Sequence, residues 1–215
     1  MSSVLVKPAL SDSALLRFRV KHALGFFHIP RSGGVSVSNA IKNSTAGRDT
    51  ERTGIYTIKD YNNQFGTLPD WSFAMIRNPY ERFLSVWVYN DRENDNIHSK
   101  KARWKTYIAN AKTWLASQPC GEAKAIDVTT AHHALPASCF VTIDDSVSVN
   151  TLIKMENIDK VPQIIWKNTG IRICEIAHLN KTNSIDFVKE FLDEECKKHI
   201  REIYAKDFEL YEGAE

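Results

Sequence analysis

Short apolar runs, each broken by glycine, proline or polar residues, set the pattern of this chain. Ala23 to Ile29 (Ala-Leu-Gly-Phe-Phe-His-Ile) is mostly apolar and is interrupted by Pro30-Arg31-Ser32-Gly33-Gly34. A run of this length predicts a buried strand of a parallel sheet, and Val35 to about Lys42 a helix after it. Phe73-Ala74-Met75-Ile76 predicts a second buried strand ending at Arg77, and Leu152 to Met155 is a third strand candidate. The clearest helix signal follows the second strand. Asn78 suits an N-cap, Pro79 the first helical position, and Glu81 stands three residues after the cap. Tyr80, Phe83, Leu84, Trp87 and Val88 then fall on one helical stripe. The charged stretch Asn90–Arg103 is expected to be a loop, and Trp104–Leu115 a helix stopped by Pro119 and Gly121. Ser184 can cap a C-terminal helical region carrying Phe187, Val188, Phe191, Leu192, Ile200, Ile203 and Tyr204.

Strand, loop and helix in repetition argue for an α/β fold, a central parallel sheet flanked by helices. With 215 residues and no internal repeat, one domain over 1–215 is the simplest organisation, and residues 1–22 form a basic lead-in with no assigned structure. Apolar residues make up 43% and charged residues 25%, which excludes wholesale disorder. A net charge of +2 gives no general polyanion signal, so nucleic acid is not an expected partner. Charge is uneven, however: residues 1–48 carry seven Lys/Arg against one acid, and residues 184–215 ten acids against five bases. No apolar run reaches the ~20 residues of a membrane span. Cys120, Cys139, Cys174 and Cys196 show no zinc or C-x-x-C spacing, so free thiols in a reducing compartment are expected.

Two segments carry candidate chemistry. In His28-Ile-Pro-Arg-Ser-Gly-Gly-Val-Ser36, between a strand and a helix, Gly33 and Gly34 let backbone N–H groups turn toward a ligand. The helix N-terminus, the Arg31 charge and the Ser32 and Ser36 hydroxyls would together hold a phosphate or sulfate. An ordinary glycine-rich turn with an exposed arginine meets the same pattern. The segment is not a Walker A loop. In Ile76-Arg-Asn-Pro-Tyr-Glu-Arg-Phe-Leu-Ser85, Arg77 leaves the carboxyl end of a strand and Ser85 lies about two turns on, off the apolar stripe. An arginine with a serine suits a phosphate monoester. Taken alone, Arg77 paired to an internal carboxylate with an exposed Ser85 is the plainer reading.

Together, the two segments resemble the sulfotransferases that use 3′-phosphoadenosine 5′-phosphosulfate (PAPS), in particular the carbohydrate branch that includes heparan sulfate 2-O-sulfotransferase. Phe26–Ser36 is similar to that branch's H-I-P-K-T-G-G-T-S phosphosulfate loop, and Phe73–Tyr89 to its F-V-R-N-P-[YW]-x-R-[LF]-x-S-x-[YW] 3′-phosphate motif. Weaker similarities follow at 133–138, 153–157, 178–183 and 204–211, so the resemblance covers roughly residues 23–211. It implies a P-loop-kinase-like sulfotransferase fold and in-line, metal-free transfer of a sulfuryl group from PAPS to a hydroxyl-bearing acceptor, a glycan first of all. It implies that Arg31 meets the phosphosulfate and its bridging oxygen, with Ser32, Gly33, Gly34, Val35 and Ser36 on the same phosphate. Arg77 and Ser85 would take the 3′-phosphate, and Lys181 and Thr182 fall in a segment that closes over the nucleotide. Many relatives are membrane-anchored, and this sequence shows no anchor, so a cytoplasmic protein is expected.

Two departures stand out. Arg31 replaces the family's usual lysine, and an arginine stabilises a leaving group only electrostatically. The family's catalytic histidine, some twenty residues before the 3′-phosphate arginine, has no counterpart in Asp49–Tyr61. Glu51 is the carboxylate put forward as general base, with Asp60 next, although each could equally be a solvated loop carboxylate. His28 reads as a structural histidine; His132 and His133 could reach the acceptor, or be inert surface residues. Trp71, Trp104 and Trp114 are candidates for stacking on sugars, with Trp87 assigned to the core. Two rivals remain: a PAP-binding protein that has lost transfer (PAP being the desulfated donor), and a small-molecule kinase, which the missing Walker lysine disfavours.

Overall fold

The structure is a computed structural model that describes residues 23–44, 50–53, 57–90, 97–116, 131–177, 189–190 and 192–215. Four parallel strands form its sheet: β1 (Leu24–Phe27), β2 (Thr50–Thr53), β3 (Trp71–Ile76) and β6 (Thr151–Lys154), in the order β2-β1-β3-β6. Leu24 pairs with Thr50 on one side and Trp71 on the other, and Ile76 pairs with Lys154. All three strands anticipated from the apolar runs are present, although in β6 only Ile153 is fully buried. Each residue of β1 and β3 is buried, as both-face coverage of a parallel sheet requires.

Alternation along the strands separates two cores. On one face Phe27, Ala74 and Ile76 pack with Ile58 and Tyr61 of α2 (Ile58–Phe65) and with Phe140 of α6 (Ser138–Val141). On the other, Leu24, Phe26, Phe73, Met75 and Ile153 pack with Val37 and Ile41 of α1 (Gly34–Lys42) and Val161 and Ile165 of α7 (Val161–Thr169). A third cluster lies beside the sheet. There Phe83, Leu84 and Trp87 of α3 (Pro79–Asn90) meet Trp104 and Ile108 of α4 (Ile97–Ala116) and Ile200 of α8 (Glu194–Ile203). The remaining elements among the described residues are α5 (Ala131–Ala134), α9 (Ala205–Glu212), a 3-10 helix (Met155–Lys160) after β6, and a hairpin of β4 (Thr142–Ile143) and β5 (Ser146–Val147) turned by Asp144 and Asp145, both at positive φ. The backbone of Glu215 bonds Leu152 and Lys154 and so covers the outer edge of β6.

The α3 stripe packs as the spacing predicts, and Asn78 Oδ1 accepts from Tyr80 N at 3.0 Å. Three expectations change. From Ile97 to Arg103 the charged stretch is helix, not loop: lysine, arginine and alanine are good helix formers, and the stripe from Trp104 onward anchors them. Trp71 and Trp104 are buried in core clusters, which removes them as sugar platforms; the Trp114 side chain lies outside the described set. Finally, Cys139 is disulfide-bonded, to a partner outside the described residues, while Cys174 and Cys196 are free. The reducing compartment expected from four free thiols loses that support. Ser184, Phe187, Val188 and Phe191 also lie outside the described residues; α8 has its own cap in Asp193, which accepts from Cys196 N at 2.8 Å. No helix among the described residues is long and apolar enough to cross a membrane.

Candidate functional site

The strand order places the site. From β1 the chain runs out to β2 on one side and then returns across to β3 on the other. Ligands of open α/β sheets bind where the order reverses, at the carboxyl ends of the strands. The loop after β1 (residues 28–33) and the turn after β3 (77–78) both emerge there.

The β1 loop is shaped to hold an anion. Gly33 sits at φ 79° and begins α1, whose N-terminus has no side-chain cap. Gly34 has no room for a side chain: a Cβ there would lie 1.9 Å from the His28 ring. Arg31 holds a left-handed φ of 66°, a strain on the order of 1 kcal/mol for a residue with a side chain. Ser32 is fully buried, and its Oγ has no hydrogen-bond partner among the described residues. A buried hydroxyl without a partner at an uncapped helix start is what a bound oxyanion would complete. Ser36, also buried, lies one turn into the same helix.

The second segment meets the first directly. Arg31 Nε donates to Ser85 Oγ at 3.0 Å, and its guanidinium lies 4.8 Å from the centre of the Tyr89 ring. Ser85 is buried rather than solvent-exposed. Arg77, whose side chain is 12% exposed, donates from Nε (3.3 Å) and Nη2 (3.2 Å) to Glu81 Oε2, and Glu81 is also 3.9 Å from Lys189. Glu81 therefore engages the arginine instead of the helix cap that its spacing suggested.

Beneath these groups lies Arg82, 2% exposed. Its Nε donates to Pro30 O (3.0 Å) and its Nη2 to His133 O (3.1 Å) and Leu135 O (2.7 Å). Asp207, equally buried, lies 3.8 Å from Arg82 and accepts from Ala137 N (2.6 Å) and Ser138 N (2.9 Å). Burial raises the Asp207 carboxyl above its usual range, against the pull of Arg82 and the backbone N–H groups. His28 is pushed down to about 4, first by burial and then by the charge of His133, which leaves it neutral at pH 7.

Residues 16–212 match the sulfotransferase family. The chain belongs to that family. No curated protein shows significant similarity to it.

Within this sulfotransferase, the proposed donor residues Arg31, Ser32, Gly33, Gly34, Ser36 and Ser85 gather around the β1 loop, with Arg77 at the head of the helix that carries Ser85. Val35, in the first turn of α1, is 48% exposed. Lys181 and Thr182 lie outside the described residues. The backbone of Glu51 pairs in register with Gly25, two residues or about 7 Å before Phe27, the last residue of β1. Asp60 closes a capping box on α2, accepting from Thr57 N at 3.2 Å and Oγ1 at 3.0 Å. Sequence reading gave no role to Arg82 and Asp207. Their signal was present, since both stand in family-like segments, and a buried charge requires a partner of the kind each supplies. No group of acids, histidines and cysteines with metal-holding geometry occurs among the described residues.

Proposed function

We propose that the chain transfers a sulfuryl group from PAPS to a hydroxyl of an acceptor, a glycan of the kind used by the carbohydrate branch, with donor charge met by arginines rather than a metal. The whole of 1–215, with 1–22 as its lead-in, is read as one sulfotransferase domain. The observation that carries the reading is the Arg31–Ser85 hydrogen bond, which joins the two candidate anion-binding segments beside an uncapped helix start. In this reading Arg31 and the 32–36 segment hold the phosphosulfate. Arg77 and Ser85 hold the 3′-phosphate, and Lys181 and Thr182 close over the nucleotide. Ser85 suits both neighbours. Its oxygen accepts from Arg31, so its own O–H can donate to a phosphate. Transfer would run in line, with Arg31 stabilising the charge that develops on the leaving phosphate.

Calorimetric titration with PAP, against ADP at matched salt and without metal, tests the donor. A preference of tenfold or more, about 1.4 kcal/mol, is expected from 3′-phosphate recognition. Equal or absent binding would remove PAPS from the reading. The position of Glu51 in the middle of β2 favours one alternative, a protein that binds PAP without transfer. Tight PAP binding with no turnover of PAPS is its signature.

A further inference from the structure

Sulfuryl transfer needs a group to take the acceptor's proton; of the carboxylates put forward from the sequence, Asp60 is engaged in the α2 capping box, and Glu51 lies on β2, with its backbone paired to Gly25. We propose that His133 is the general base, held beside the anion loop by Arg82 and Tyr89; this rests on the donor reading above. Three observations converge on it. One planar guanidinium, that of Arg82, bonds both Pro30 O of the loop and His133 O, so the two backbones are fixed to the same rigid group. The Tyr89 ring has the His133 ring 4.9 Å from its centre and the Arg31 guanidinium 4.8 Å from it. His133 thereby shares one aromatic neighbour with the residue proposed to face the leaving group. Third, His133 is only partly buried, within reach of an acceptor.

The step balances without a further reactant. The acceptor hydroxyl oxygen attacks sulfur and forms the new O–S bond. The bond from sulfur to the bridging oxygen breaks, and its electron pair remains on the 5′-phosphate of PAP, facing Arg31. The hydroxyl proton passes to the neutral imidazole, which releases it to water. This position follows the 3′-phosphate arginine in the chain, not the place where the resembled branch carries its histidine. Among the described residues, the charged and titratable groups around it are His28 and Arg31 from the loop after β1, Arg82 and Tyr89 from α3, and Tyr204 and Asp207 from the C-terminal segment.

The test uses the full chain. His133→Gln and His133→Asn are compared with wild type for PAP binding and for turnover of PAPS. Two probe acceptors serve, water and desulfated heparin. The expected result is PAP affinity within about twofold and kcat lower by a hundredfold or more. The acid limb of the kcat–pH profile should disappear, and imidazole added to His133→Ala should restore part of the rate. His199→Gln, on the exposed side of α8, serves as the control and should match wild type. Unchanged kcat in both His133 variants would overturn the proposal, as would loss of turnover in Glu51→Gln with His133→Gln active. A wild type that binds PAP but turns over neither probe would also overturn it, whereas one that does not bind PAP fails the donor reading instead. Should both variants lose PAP binding, the wild-type profile decides: a kcat independent of pH between 5 and 8 removes His133.

Discussion

Arg31 Nε lies 3.0 Å from Ser85 Oγ, a contact between residues 54 apart in the chain. The phosphosulfate-like loop and the 3′-phosphate-like helix are thus physically one site. Since Ser85 is buried on α3 and Arg31 is held at positive φ, neither reaches the other by side-chain flexibility alone. The backbone of each element aims it.

Arg77→Ala should weaken PAP by ten- to a hundredfold and leave 5′-AMP within about twofold, the expectation for loss of charge-assisted bonds to one phosphate. Parallel calorimetry with both ligands decides it, and equal losses would dissociate Arg77 from the 3′-phosphate.

Glu81 competes with that phosphate, because its carboxylate accepts both Arg77 donors. Glu81→Gln should therefore tighten PAP by about two- to fivefold at low salt, in line with the small value of a partly exposed ion pair. The gain should shrink as salt is added. Weaker PAP binding in this variant would show that Glu81 orients Arg77 rather than occupying it.

Arg82→Ala leaves Asp207 buried without its cation and frees three backbone carbonyls. A loss of about 3–5 kcal/mol is expected from urea unfolding. A loss below 1 kcal/mol would mean that the 30–31, 133–135 and 207 segments are held together by other contacts.

His28 gives a pH signature. Its folded value of about 4 lies below the ordinary 6.5, so between those values the unfolded chain binds the extra proton. Stability should be full above pH 6.5 and fall progressively toward pH 4, by at most about 3 kcal/mol from this group. His28→Gln should flatten that part of the curve in urea melts at pH 7 and pH 5; an unaltered slope would assign it elsewhere.

Cys139 is disulfide-bonded, so reduction should lower Tm. The expected loss is about 2–4 kcal/mol. Thermal scans with and without dithiothreitol test this, and non-reducing peptide mapping should recover Cys139 in a cross-linked peptide. An identical Tm and an alkylatable Cys139 would restore the free-thiol reading.

Features that depend on local order are legible in the amino-acid sequence. Apolar runs long enough for a buried strand marked β1, β3 and β6, and the asparagine–proline start with its apolar stripe marked α3. It did not reveal β2, because Thr-Glu-Arg-Thr is polar and becomes a strand only by pairing with β1. It misread residues 97–103, whose charges look like a loop until the Trp104 stripe docks on α3 and carries the helix back toward its start. The two anion-binding segments were legible because their residue types are spaced along single strand–helix junctions. How they combine depends on long-range packing. The order β2-β1-β3-β6 sets both junctions at one switch point, and the register pairs the Glu51 backbone with Gly25, inside β1 rather than at its loop. Arg82 then brings His133 to the loop, across a separation that no local periodicity encodes. Strand order and buried-charge pairing are properties of the assembled layers, and a linear pattern carries neither.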